Sequence, residues 1–167
     1  MSFELASKHP KLKCIVQDLP VLEPQFDAAI PAELNDRVSF QAHDFFTPQS
    51  VEHADVYFLK RILHDWADSY SVKILQAIVP AMKDGSRIIV MDGVMPPRGT
   101  VPLFVERFLT SLDLEMMGAL NSKERSREEW VELFAKADKR LEVNAFRESP
   151  GSPMALIEVL FHETRMV

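Results

Sequence analysis

The sequence predicts an α/β fold, a doubly wound and mostly parallel sheet that closes with an antiparallel hairpin. Three observations carry that prediction. Short apolar runs at Cys14-Ile15-Val16, Val38-Ser39-Phe40, Val56-Tyr57-Phe58-Leu59 and Ile88-Ile89-Val90 recur with intervening stretches, several helix-patterned, the alternation that builds βαβ units. Each run leads into a polar residue able to do chemistry: Asp18, Asp44, His64 and Asp92. The last two apolar runs, 141–146 and 154–161, flank Ser149-Pro150-Gly151-Ser152-Pro153 and read as an antiparallel pair. With the earlier runs parallel, the four polar residues crowd one edge of a single sheet, where open α/β sheets bind ligands. That edge predicts an enzyme with a nucleoside-like ligand and a base.

Taken in order, residues 2–8 read as the end of a helix, with Phe3, Leu5 and Ala6 apolar and His9-Pro10 stopping it. A strand over 13–19 is followed by Pro20, a Pro-punctuated helical region over 21–34 and a second strand over 38–43. The near-continuous apolar run 54–60 has the pattern of a central strand covered on both faces. Val72, Ile74, Leu75, Ile78 and Val79 fall at helical spacing in 68–82, with Gly85 in the C-cap role, and 87–94 follows as a buried strand. After the turn Pro96-Pro97-Arg98-Gly99, a long helix over 101–120 carries Leu103, Phe104, Phe108, Leu112, Met116 and Met117 on a stripe that needs a partner surface. Ser126 with Glu129 makes a capping-box pattern, and Trp130, Leu133, Phe134 and Ala137 supply that helix's buried face.

At 167 residues and 47% hydrophobic content the chain has the size of one domain with a sizeable core. A net charge of -6 without a basic block argues against a nucleic-acid partner. No apolar stretch reaches the roughly 18–20 residues of a membrane helix, and the first residues lack a signal-peptide pattern. A cytoplasmic protein without a membrane partner or a metal site is therefore expected. The one cysteine, Cys14, sits in a strand pattern as a small core residue.

Asp18 stands where nucleoside-binding sheets place an acid for the ribose hydroxyls, although a strand-end acid is more often a turn residue or helix cap. His43-Asp44-Phe45-Phe46 offers an acid and rings for an adenine, or simply a turn beside core phenylalanines. Leu63-His64-Asp65-Trp66 is the most specific segment, since a histidine just past a strand is placed as a general base near neutral pH; position alone gives catalysis and a structural role even odds. Lys60 faces either the ligand or solvent. In Asn121-Ser122-Lys123-Glu124-Arg125, Glu124 is a candidate to orient that histidine, against the alternative of a solvated loop.

Together with Val16-Gln17-Asp18-Leu19-Pro20 and Met91-Asp92-Gly93, these segments resemble the S-adenosylmethionine-dependent small-molecule O-methyltransferases of plants and filamentous fungi, over residues 3–162 and nearest the fungal secondary-metabolism branch. The resemblance implies a Rossmann-like methyltransferase sheet. It also implies that residues 1–167 are one catalytic domain truncated at its N-terminus, lacking the usual first strand, its glycine loop and a helical dimerisation domain. It assigns Asp18 to the ribose, Asp44 and Phe45 to the adenine, and Lys60 to the cofactor's polar end. His64 becomes the base that deprotonates a substrate hydroxyl, flanked by Glu124 and by Asp92, where the family usually has Glu. Met116, Met117 and Asn121 become acceptor-pocket residues, and the stripe over 101–120 implies a homo-oligomer or a complementing chain. The alternative is a non-methylating relative: a scaffold or regulatory subunit, or a cofactor-independent catalyst using the acceptor pocket.

Overall fold

The computed structural model describes residues 1–148, 152 and 154–164. The expected turn at 149–151 and 153 lies outside the described residues. Within them the chain divides into two compact units, Met1–Ser50 and Val51–Val167.

In the first unit, α1 (Ser2–Lys8), β1 (Cys14–Asp18), α2 (Glu23–Ala29) and β2 (Val38–Ala42) follow one another, and the two strands pair in parallel from Cys14 opposite Val38 to Asp18 opposite Ala42. The polar region between the strands resolves into α2 between two short 3-10 turns, Pro20–Leu22 and Ala32–Leu34. Ile30 precedes Pro31 and turns extended (ψ 126°), which ends α2, because the residue before a proline is driven out of the helical region. Ala6, Leu34 and Val38 form the buried centre, with Phe3, Cys14, Val16, Phe26 and Ile30 packed around it. Phe26 links the layers, its ring centroid 5.4 Å from Phe3 and 5.5 Å from Phe40. Partial burial raises the Cys14 thiol above its ordinary value.

The second unit holds a four-stranded sheet in the order β3 (Val56–Lys60), β4 (Arg87–Gly93), β6 (Met154–Phe161), β5 (Leu141–Glu148). β3 and β4 are parallel, whereas β4–β6 and β5–β6 are antiparallel, so the expected closing hairpin is present. The expectation of a single sheet is corrected: β1–β2 and β3–β4–β6–β5 are separately hydrogen-bonded sheets. β3 is accordingly an edge strand, not a central one. Tyr57 is buried on one face, while Val56 and Phe58 on the other are 43% and 39% exposed.

The helix α3 (Asp68–Ile78) gives way to a 3-10 turn, Val79–Ala81, as Pro80 removes an N–H from the ladder. Gly85 is therefore not the cap of α3. Its φ of +79° serves the turn into β4, where the Ser86 N–H donates to Lys83 O. α5 (Arg127–Ala137) starts with the expected capping box at Ser126 and Glu129, and buries Trp130, Leu133 and Phe134. Ile74, Leu75, Ile88, Val90, Ile157 and Phe161 fill the rest of this core. α4 (Leu103–Leu120) keeps Leu103, Phe104, Phe108 and Met117 exposed. No helix among the described residues is long and apolar enough to cross a membrane.

Candidate active site

After β3 the chain pairs once more with β4, the Arg61 N–H donating to Met91 O at 3.0 Å, but Arg61 itself sits at φ 51°. That left-handed residue, sterically unusual for a side chain of this size, turns the backbone into the short 3-10 turn Leu63–Asp65. His64 is the middle residue of the turn and is only 5% exposed.

The far side of the site comes from the end of α4. Asn121 closes that helix at φ 52°, donating its N–H to Met117 O. The Ser122 hydroxyl then donates to the His64 carbonyl. Glu124, its own N–H bound to Asp113 Oδ1 at 2.8 Å, places Oε1 3.2 Å from His64 Nδ1. Glu124 reaches this position because Gly93, at the end of β4, has no side chain to obstruct it.

Three carboxylates surround the imidazole. Glu124 faces Nδ1, Asp65 Oδ1 stands 3.1 Å from Nε2 with its side chain 43% exposed, and Asp92 is fully buried on β4. The Glu124 hydrogen bond foremost, with the charges of Asp92 and Asp65 behind it, holds His64 above its ordinary 6.5 against the opposing effect of burial. Neither oxygen of Asp92 meets a hydrogen bond of full geometry, and the His64 backbone N–H is the polar group that comes nearest to pairing it. Burial first, then the Glu124 charge, pushes its carboxyl up to about 7, against the pull of His64 and Arg125. A ring with acceptors at both nitrogens suits the imidazolium, which donates from each. Loss of the outer proton leaves Nε2 as a base, with Nδ1–H held by Glu124.

The structure thus brings together His64, Glu124 and Asp92. Asp18, Asp44 and Phe45 belong to the amino-terminal unit, where both acids make turns: Asp18 Oδ1 accepts the Leu19 N–H at 2.8 Å and Asp44 Oδ1 the Phe46 N–H at 2.9 Å. Lys60 is the exposed last residue of β3. Met116 is buried, whereas Met117 and Asn121 are exposed, so neighbouring positions at the end of α4 face different environments. In the sequence Asp65 reads only as the acid that starts a helix, and Ser122 and Gly93 carry no assigned role. Adjacency to the histidine was a usable signal for Asp65; nothing in the sequence connects Gly93 with Glu124.

The site is a buried strand-end histidine held by a carboxylate within an α/β unit. The chain belongs to the O-methyltransferase domain family, whose model matches residues 2–139. It is similar to the O-methyltransferase pgmB of Aspergillus terreus, 45% identical over 160 residues that cover 93% of this chain and 36% of that protein. Among solved structures it is similar to LepI in complex with SAM (TM-score 0.83, 36% identity, covering 96% of this chain and 39% of that one). It is likewise similar to a structure described as a pericyclic reaction enzyme (TM-score 0.84, 35% identity, covering 97% and 40%). The chain spans less than half the length of each of these proteins.

Proposed function

We propose that residues 1–167 form the catalytic part of an S-adenosylmethionine-dependent O-methyltransferase acting on a hydroxyl of a small secondary metabolite, with His64 as general base. The observation that carries this reading is the buried imidazole whose Nδ1 is held by Glu124 at 3.2 Å and whose Nε2 faces the half-exposed Asp65 at 3.1 Å, a group that a substrate can replace. Family membership and the similarity to LepI, solved with SAM, support the cofactor.

The residues fit that cofactor. Asp18 keeps a carboxylate on the wall of a cavity of about 270 Å³ that Phe26 and Phe40 also line, an acid beside apolar rings that suits a ribose diol. By the family resemblance Asp44 and Phe45 of the first unit would supply an acceptor and a ring for the adenine, and Lys60 would be a cation for the cofactor's polar end. When bound, the cofactor supplies an electrophilic methyl group on a sulfonium. The substrate hydroxyl displaces the half-exposed Asp65 from Nε2 and donates its proton there. Glu124 keeps the Nδ1 proton in place, and Glu124 and Asp92 stabilise the imidazolium that results. Met116, Met117 and Asn121 lie at the end of α4 that leads to Glu124 and form the acceptor side. The exposed apolar positions of α4 support a homo-oligomer or a complementing chain.

Calorimetry with S-adenosylhomocysteine, paired with methyl transfer to phenolic acceptors by the parent and by His64→Ala, tests the reading. Binding together with transfer that His64→Ala abolishes is expected; transfer unaffected by the substitution overturns the assignment of the base.

A second reading rests on the likeness to the pericyclic reaction enzyme. In it the buried acid–histidine cluster promotes a cofactor-independent rearrangement. Turnover of a substrate without methyl incorporation, unchanged by added S-adenosylmethionine, would favour this reading over the first.

A further inference from the structure

Arg125 is among the largest fully buried side chains of the described residues, 1% exposed, and it touches neither ring nitrogen of His64. Its donors are spent on the backbone that carries the histidine. Nη1 donates to Leu63 O at 2.8 Å and Nη2 to Trp66 O at 2.8 Å, one carbonyl on each side of His64. Nη2 also reaches Ser71 Oγ at 3.3 Å, and Nε bonds Asp68 Oδ1 at 2.9 Å, near the start of α3. The guanidinium lies over the Trp130 ring, 5.1 Å from its centroid, so α5 closes the remaining face.

A three-residue 3-10 turn has poor intrinsic geometry and little stability of its own. This one follows the left-handed Arg61 and has no side-chain cap. The segment 122–125 supplies most of what holds it: Ser122 takes the His64 carbonyl, Glu124 the ring, and Arg125 the flanking carbonyls, which the Ser71 hydroxyl also reaches at 3.2 Å (Leu63 O) and 3.0 Å (Trp66 O). A planar fork with five donors spans acceptors this far apart, and an ammonium group does not.

We infer that Arg125 is a positioning residue that fixes the His64 turn in register with Glu124, so that the histidine and its carboxylate are set by one rigid loop. The inference rests on the reading of His64 as the base for its catalytic consequence, and on the turn geometry alone for the positioning itself.

The test uses the 167-residue chain with Arg125→Lys and, because that variant risks failing to fold, Asp68→Asn, which keeps the fork and loosens its anchor. Nitrogen-15 spectra of the histidine rings across pH report the Nδ1–H bond and the titration midpoint of His64, assigned by loss of the signal in His64→Ala. In folded Arg125→Lys, we expect the Nδ1–H signal to exchange at least tenfold faster and the His64 midpoint to fall toward the ordinary 6.5. Methyl transfer is expected to lose tenfold or more in kcat with KM for the methyl donor unchanged, and Asp68→Asn to move both readouts less, in the same direction. A folded Arg125→Lys with the parental His64 signal overturns the inference and leaves Arg125 a packing residue. If that variant does not fold, a parental signal in Asp68→Asn overturns it instead. A parent chain that transfers no methyl group counts against the general base alone, since the ring spectra still decide the positioning.

Discussion

Gly93 and Glu124 share one small volume: a Cβ built on Gly93 would lie 2.6 Å from Glu124 Oε2. No real Cβ tolerates that approach, so one of the two must give way. The Gly93 carbonyl is held by Trp130 Nε1 at 3.1 Å, which leaves the flexible carboxylate as the part that moves.

Gly93→Ala is therefore expected to fold and to lose activity. The end of a flexible side chain can swing aside without moving the backbone, but it then leaves Nδ1 and gives up a buried hydrogen bond to a charged group, a loss of about 1.5–3 kcal/mol. We expect a folded protein with a modestly lower melting temperature and a loss of methyl transfer of about tenfold or more. Equal activity in the two proteins would show that the Glu124 contact is dispensable.

His64→Ala is expected to fold and to lose about 10²–10⁴-fold in kcat, the range that a positioned general base contributes. Circular dichroism and a transfer assay on the same preparation check it. Binding of S-adenosylhomocysteine is expected to survive, because the cofactor role is proposed for Asp18, Asp44, Phe45 and Lys60 and not for the ring.

The pH dependence follows from the raised His64. Only neutral imidazole accepts a proton, so kcat should climb with pH through a midpoint above the ordinary 6.5. Glu124→Gln removes the largest cause of the shift, and the midpoint should fall. For stability the sign is opposite: the contribution of His64 is full below 6.5 and is lost as pH rises through the higher folded value. An unmoved rate midpoint in Glu124→Gln would exclude His64 as the titrating group.

Asp92 gives an independent stability test. Its ordinary value of 3.8 rises to about 7 in the fold, so the folded chain holds an extra proton between those values. Its contribution to stability is thus full below 3.8 and lost as pH rises through about 7. Asp92→Asn should melt higher than the parent at pH 8 and show a shallower decline between pH 5 and 8. A lower melting temperature at pH 8 would mean that His64 and Arg125 stabilise the Asp92 anion more than burial penalises it.

Ser126→Ala should cost about 1 kcal/mol, the usual worth of a lost N-cap. Both bonds of the box, Ser126 Oγ with the Glu129 N–H and Glu129 Oε2 with the Ser126 N–H, are present, and urea denaturation measures the change.

The sequence by itself determined the elements and the family. Period-two and helical patterns located β1 through β6 and the long helices, and a histidine after an apolar run followed later by Lys-Glu-Arg marked His64 and Glu124 as candidates for a base and its carboxylate. These signals are local, because side-chain periodicity and capping act within a few residues. Only the tertiary structure decided that β3 is an edge strand, that Asp92 is fully buried, that Gly93 makes room for Glu124, and that Arg125 grips the carbonyls beside His64. Each of these depends on groups far apart in the chain meeting within a few ångströms, and neither composition nor spacing records which distant group fills a given volume.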